Sequence, residues 1–78
     1  MIINEKIADT KTLEFVIFCI ENLAISLGTD AEKVYTALNE SSILSDYIIA
    51  EYEMLHTQSK EYIINDIMEI MQERDVKI

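Results

Sequence analysis

The chemically most varied stretch of the chain is residues 54–62, Met-Leu-His-Thr-Gln-Ser-Lys-Glu-Tyr. Histidine can act as a general base, and serine or tyrosine can donate hydrogen bonds. A small polar site would gather the following side chains: His56, Thr57, Ser59, Lys60 and Tyr62. No glycine-rich loop or nucleophile motif accompanies the histidine. We therefore favour a capping role, in which Thr57 or Ser59 begins the last helix, and we predict a protein without catalytic residues.

Metal and redox chemistry find little support in the sequence. Cys19 and His56 are the only soft ligands, too few for a structural zinc site, and one cysteine cannot form an intramolecular disulfide. Asp66, Glu69 and Glu73 share one helix face and could meet a hard cation, but a solvated acidic face is the simpler interpretation. We predict no metal and no cofactor.

The net charge of the chain limits the classes of partner that it can bind. Its 78 residues contain 15 Asp and Glu against 6 Lys and Arg, a net charge of −9, and no segment is basic. Nucleic-acid binders place Lys and Arg on phosphates, so nucleic acid is a poor partner, as is an anionic membrane surface. The N-terminus lacks a signal-peptide pattern, and no apolar run reaches the roughly 20 residues of a membrane span. We expect a cytoplasmic protein.

The elements that would position these residues are helical. With one Gly, no Pro and apolar residues at helical spacing, the chain predicts an all-α fold. We expect a small orthogonal bundle of three main helices plus one or two short ones, in a single domain over residues 10–78. A loosely ordered extension over residues 1–9 precedes it. Asp9 or Thr10 would cap the first helix, over residues 10–27, and Gly28 would end it.

The later elements follow from capping patterns. Thr29 and Glu32 have capping-box spacing, which predicts a second helix ending near Glu40. Residues 43–52 contain many large apolar side chains over a short length, which predicts one or two short helical turns that begin near Ser42 or Ser45. The last helix would begin at Thr57 or Ser59 and end near Glu73. Its apolar stripe contains these residues: Ile63, Ile64, Ile67, Met68, Ile70 and Met71.

A helix-turn-helix pattern lies within residues 24–40. Ala24, Gly28 and Val34 have the spacing of a helix-turn-helix. The small Ala24 side chain allows two helices to approach, Gly28 allows the turn, and Val34 packs the second helix at a helix-turn-helix-like angle. The alternative function is therefore a DNA-binding regulator. Its outward residues would be Glu32, Lys33, Tyr35, Thr36, Asn39 and Glu40. One basic residue among these opposes the alternative, since Arg and Lys supply most DNA contacts.

The first helix is apolar on more than one side. The predicted inner face consists of Leu13, Val16, Ile17, Ile20, Leu23, Ala24 and Leu27. A second apolar side consists of Phe15, Phe18, Cys19 and Ile25. So short a chain gains little net free energy from its own core. Either a second chain covers the second side, or residues 43–55 do so within one molecule.

The leading hypothesis is a non-enzymatic, acidic helical interaction module. Tyrosine is amphipathic and enriched at protein interfaces, and the chain has four Tyr and no Trp. The predicted interaction residues are Phe15, Phe18, Ile25, Tyr35, Tyr47 and Tyr52. We predict a homodimer or a protein partner.

Four segments carry a family resemblance: residues 13–24, 32–35, 43–48 and 55–63. Together they resemble a small bacterial family known as domain-of-unknown-function family 3791, and the run His-Thr-Gln-Ser-Lys-Glu-Tyr is the most specific part. The resemblance covers about residues 12–74 and implies a short helical protein of anaerobic, gut-type bacteria. It implies neither an activity nor a ligand. Members lie beside genes for a family similar to ADP-ribosyltransferases, which implies a partner or antitoxin-like role.

Overall fold

The computed structural model describes residues 10–78, which form four α-helices and one π-helix and contain no strand. The elements in chain order are α1 (Thr10–Leu27), α2 (Ala31–Glu40), the π-helix (Leu44–Ile49), α3 (Tyr52–Leu55) and α4 (Lys60–Glu73). The all-α prediction is confirmed, and the three long helices lie where the sequence places them. The predicted extension over residues 1–9 and the cap at Asp9 lie outside the described residues.

Helix α1 is the centre of the core. It supplies six of the 16 buried apolar residues: Phe15, Val16, Cys19, Ile20, Leu23 and Ala24. These positions repeat at i, i+3 and i+4, so they form one continuous face. The predicted inner face was partly wrong: Leu27 is 42% exposed, and Leu13 and Ile17 are half-buried. The buried face is turned toward Phe15 and Cys19 because α3 and the π-helix pack on that side.

The connection from α1 to α2 is a tight glycine turn. Gly28 has a φ of +65°, and the Thr29 N–H donates to the Ala24 carbonyl at 3.0 Å. This closure is the Schellman geometry, which favours glycine at the left-handed position. The helix axis turns by 112° between α1 and α2, within the range of a helix-turn-helix. Ala24 and Val34 are both buried beside this turn, as the pattern predicts.

The predicted capping box at the start of α2 was wrong by one residue. Asp30, not Thr29, is the N-cap, and its carboxylate accepts from the Lys33 N–H at 2.9 Å. The physical reason is that the Thr29 N–H already closes the end of α1. Asp30 is therefore the first residue that is free to take the extended backbone that an N-cap needs.

Two short helices join α2 to α4. Ser42 follows α2 with a φ of +67°, and the π-helix and α3 then bring Leu44, Ile48 and Leu55 into the core. The two short elements match the predicted helical turns, whereas the apolar pattern did not indicate the wider turn of a π-helix. The π-helix packs against both α1 and α2.

Helix α4 closes the bundle and is tied to its neighbours by two polar contacts. Ser59 is its N-cap, accepting from the Tyr62 N–H at 3.2 Å, and the predicted end near Glu73 is confirmed. The Tyr47 hydroxyl donates to the Asp66 carboxylate, which joins the π-helix to α4. The Arg74 guanidinium donates to the Ser41 carbonyl at 3.1 Å, placing a cation at the C-terminal end of α2.

Every helix among residues 10–78 contributes to one core. Helices α1, α2, α3 and α4 and the π-helix each bring at least one buried apolar side chain into it. Among residues 10–78, no single helix is long and apolar enough to cross a membrane. Helices α1 and α2 reach the required length only together, and the sharp bend between them interrupts that length.

Replacement of Ser42 by glycine should stabilise the fold. A left-handed backbone costs a residue with a Cβ about 1–2 kcal/mol, and glycine loses about 0.5–1 kcal/mol of unfolded-state entropy. We therefore expect S42G to raise the free energy of unfolding by about 0.5–1 kcal/mol in urea titrations. Ser45→Gly, inside the π-helix, is the control and should lower it. A loss of stability in S42G would contradict the left-handed assignment.

Removal of the Tyr47 hydroxyl should weaken the contact between the π-helix and α4. Tyr47→Phe leaves the ring in place but removes the donor to Asp66, so we expect a loss of about 1 kcal/mol in the free energy of unfolding. The matched control is Tyr35→Phe, because Tyr35 is also half-buried and its hydroxyl has no partner among the described residues. Equal losses in the two variants would show that the hydrogen bond contributes nothing.

Candidate interaction site

Four aromatic rings form a row from α1 across α3. The Phe15 and Phe18 ring centroids are 6.2 Å apart, and Tyr52 meets Phe15 edge-on at 5.4 Å. His56 stacks on Tyr52 at 4.6 Å with the planes 16° apart. Phe15 is therefore buried, and Phe18 and Tyr52 are half-buried. Of the two covers considered for the second apolar side of α1, the segment over residues 43–55 supplies the one over Phe15.

The polar stretch around His56 serves mainly to end α3 and begin α4. The Thr57 hydroxyl donates to the Met54 carbonyl at 2.7 Å, and the Ser59 hydroxyl caps α4. Lys60 is the first residue of α4, and Tyr62 is half-exposed in its first turn. Of the two predicted caps, Ser59 is therefore the one used. His56 is exposed and has Tyr52 as its ring partner.

The six predicted interaction residues do not form one patch. Phe15, Phe18 and Tyr52 lie together, whereas Tyr35 packs against the core from α2. Tyr47 is held at the π-helix by Asp66. Ile25 is 78% exposed near the end of α1, the largest exposure among the large apolar side chains of residues 10–78.

Two depressions lie along one face of α1, one beside the aromatic row and one beside Ile25; together we call them the α1 groove. Its aromatic end has a volume of about 340 Å³ and is lined by Lys11, Glu14, Phe15, Phe18, Tyr52, His56, Gln58 and Ile63. Its isoleucine end has a volume of about 170 Å³ and is lined by Asn22, Ile25, Ser26, Lys60, Glu61, Ile64 and Asn65. The two ends follow one another along the helix, since Phe18 and Asn22 are one turn apart.

The geometry of the α1 groove follows from the helical repeat. At 3.6 residues per turn, its α1 residues fall within about a third of the helix circumference and extend over about 22 Å. The Asn22 side chain donates to the Phe18 carbonyl at 2.8 Å, so it lies back along the helix between the two ends. The opposite wall is built by α3, the residues between α3 and α4, and the first two turns of α4.

The α1 groove is electrically neutral on an acidic molecule. Lys11 and Glu14 lie at its aromatic end, and Lys60 and Glu61 lie at its isoleucine end. Outside the groove, residues 10–78 carry 11 Asp and Glu against three Lys and Arg, a net charge of −8. The groove is thus a surface where the general repulsion of anions is locally relieved.

The outward face of α2, the candidate recognition helix, carries another open depression. Its volume is about 480 Å³, and its lining is Asp30, Glu32, Lys33, Thr36, Ala37, Glu40, Lys77 and Ile78. This lining contains three carboxylates and two amines. The angle between α1 and α2 is therefore that of a helix-turn-helix, but the outward face of α2 is not cationic. Tyr35, predicted to point outward, is half-buried.

The remaining chemically reactive side chain lies in the core. Cys19 is fully buried, and burial raises the pKa of its thiol to about 12, so the thiol stays protonated at neutral pH. In residues 10–78, no three His, Cys, Asp or Glu side chains come close enough together to hold a metal ion.

Sequence reasoning found part of the α1 groove and missed part of it. Phe18 and Ile25 were predicted from their excess apolar character, and they share a helix face at i, i+7. Glu14, Glu61 and Asn65 were not assigned to any site. Their helical spacing was visible, but their place beside Ile25 depends on how α4 packs against α1.

No curated protein and no solved structure matches this chain. One family model matches residues 14–74, a range that contains every residue of the α1 groove except Lys11. By this match, the chain belongs to the family described as "Protein of unknown function (DUF3791)".

Proposed function

We propose that this protein is a non-enzymatic, acidic interaction module that binds another protein chain along the α1 groove. The single observation that carries the proposal is Ile25, which is 78% exposed within a groove that also contains aromatic surface. Isolated apolar side chains are common on protein surfaces. Ile25 differs because an aromatic depression lies on the same face of α1. Such an arrangement is typical of a residue that a protein partner buries on binding.

The shape of the groove supports a helical occupant. Amphipathic helices bind in grooves through apolar residues at i, i+3, i+4 and i+7. The α1 groove is about 22 Å long, which corresponds to four helical turns. Its two apolar regions, near Phe18 and near Ile25, are seven residues apart on α1 and would meet two successive anchors of a bound helix.

Binding would gain free energy by burying apolar surface that this chain leaves exposed. Fully burying an isoleucine side chain is worth about 1.5–3 kcal/mol, and most of this gain is still available at Ile25. Phe15 is already covered by Tyr52, so it contributes to the floor of the groove rather than to new contact area. Binding would therefore be driven by Ile25, Phe18 and the part of Tyr52 that is exposed.

The side chains at the surface oppose both an enzymatic role and a DNA-binding role. The hydroxyls nearest His56 in sequence are engaged: Thr57 donates to a carbonyl, and Ser59 caps α4. The 112° bend between α1 and α2 favours a helix-turn-helix regulator. The three carboxylates on the outward face of α2 oppose it, because they would face phosphates.

The proposal predicts a site-specific contact with a protein at Ile25. A photoreactive amino acid placed at position 25 should crosslink to a protein in the cells that make this chain, since the side chain lies in the groove. The same amino acid at position 78 is the control, because Ile78 is also exposed but lies beside α2. Mass spectrometry of the adduct would identify the crosslinked peptide.

Three results are distinguishable in this experiment. An adduct at position 25 but not at position 78 supports the proposed function, whether the captured chain is a second copy or another protein. Equal adducts at both positions would indicate non-specific contact and contradict it. The absence of an adduct at position 25 would also contradict it.

A further inference from the structure

We propose that the occupant of the α1 groove is a second copy of this chain, bound antiparallel with groove against groove. This inference rests on the proposed function and names its partner. Both ends of the groove are depressions, and Ile25, which lines the isoleucine end, leaves 78% of its surface exposed for contact. A twofold axis between Phe18 and Asn22 places Ile25 of each copy over the aromatic end of the other.

The aromatic end has room for the Ile25 side chain of a second copy. Its depression has a volume of about 340 Å³, and its lining includes Phe15, Phe18 and Tyr52. The antiparallel arrangement buries both Ile25 side chains at once. A contact that uses the same patch on both subunits closes on itself, so it gives a dimer rather than a filament.

The charges of the groove fit the same arrangement. Each end carries one lysine and one glutamate, so each end offers both signs of charge to a second copy. In the proposed antiparallel register, Lys60 of one copy lies opposite Glu14 of the other. The same register sets Glu61 opposite Lys11. Both pairs occur twice around the twofold axis. A parallel arrangement would instead place like ends together and leave both Ile25 side chains outside the aromatic depressions.

The charge of the remaining surface argues for a second copy rather than a basic partner. A basic partner would be attracted to the parts of the molecule that carry the net −8, not to the neutral groove. Two acidic copies repel one another everywhere except along a neutral surface. The groove is such a surface, and it also holds the most exposed isoleucine of the described residues.

Salt dependence separates these two occupants. Added salt screens the repulsion between two chains of net charge −9, so the dimer should become tighter as ionic strength rises. A complex with a basic partner would weaken under the same change. Sedimentation equilibrium of the purified chain, from about 1 to 500 µM and at low and high NaCl, measures this, since small interfaces are often transient.

Variants at exposed positions test the contact itself. Ile25→Lys should weaken the dimer by about tenfold or more, because it removes the anchor. Ile78→Lys makes the same change in charge outside the groove and should leave the dissociation constant unchanged. Glu14→Lys and Lys60→Glu should each weaken the dimer by about threefold, and the double variant should restore it. Circular dichroism would confirm that each variant is folded.

Several outcomes would overturn the inference. A wild-type chain that stays monomeric at every concentration and salt would do so, as would a dimer that I25K leaves intact. Failure of the double variant to restore the dimer would rule out the antiparallel register. A crosslink from position 25 to a different protein, with a monomeric purified chain, would overturn the second copy as occupant while the proposed function stands.

Discussion

The burial of α1 is the constraint on which the rest of the structure depends. This helix supplies six of the 16 buried apolar residues, and they occupy one face from Phe15 to Ala24. A chain of 9.0 kDa has little material with which to cover such a face. It does so by folding back at Gly28 so that α2 packs on one side, and by using α3 and the π-helix on another. Helix α4 closes the remaining side and is fixed there through Asp66 and Arg74.

The uncovered part of α1 follows from the same constraint. The π-helix and α3 extend far enough to cover Phe15, but not as far as Ile25. The first turn of α4 passes beside Ile25 and forms a wall instead of a lid. The result is a groove with an apolar floor along the outward side of α1. Its neutrality arises because two of the five cations among residues 10–78 lie in it.

The helical fold was predictable because its signals are local. The apolar period, Gly28 at the end of α1 and Ser59 before α4 depend only on near neighbours in sequence. The exposure of Leu27 and the choice of Asp30 over Thr29 as a cap were not, since both depend on how the turn after α1 closes. The π-helix was also missed, because short apolar runs fit several kinds of turn.

The candidate site was predictable only in its apolar residues. Phe18 and Ile25 stand out as apolar side chains outside the main face of α1. The pairing of Lys60 with the same groove as Glu14 depends on tertiary packing across more than 40 residues of chain, and no sequence period reports it. The net charge can be counted from the composition, whereas the neutral surface of the α1 groove is visible only in the folded chain.

Amide hydrogen exchange of the dilute, monomeric chain tests the central claim most directly. If one chain closes its own core around α1, the amides over residues 19–23 will exchange only through global unfolding and will be the most protected of the molecule. Their protection will match the free energy of unfolding measured under the same conditions. Rapid exchange of these amides in the monomer, with protection appearing only as concentration rises, would contradict the account.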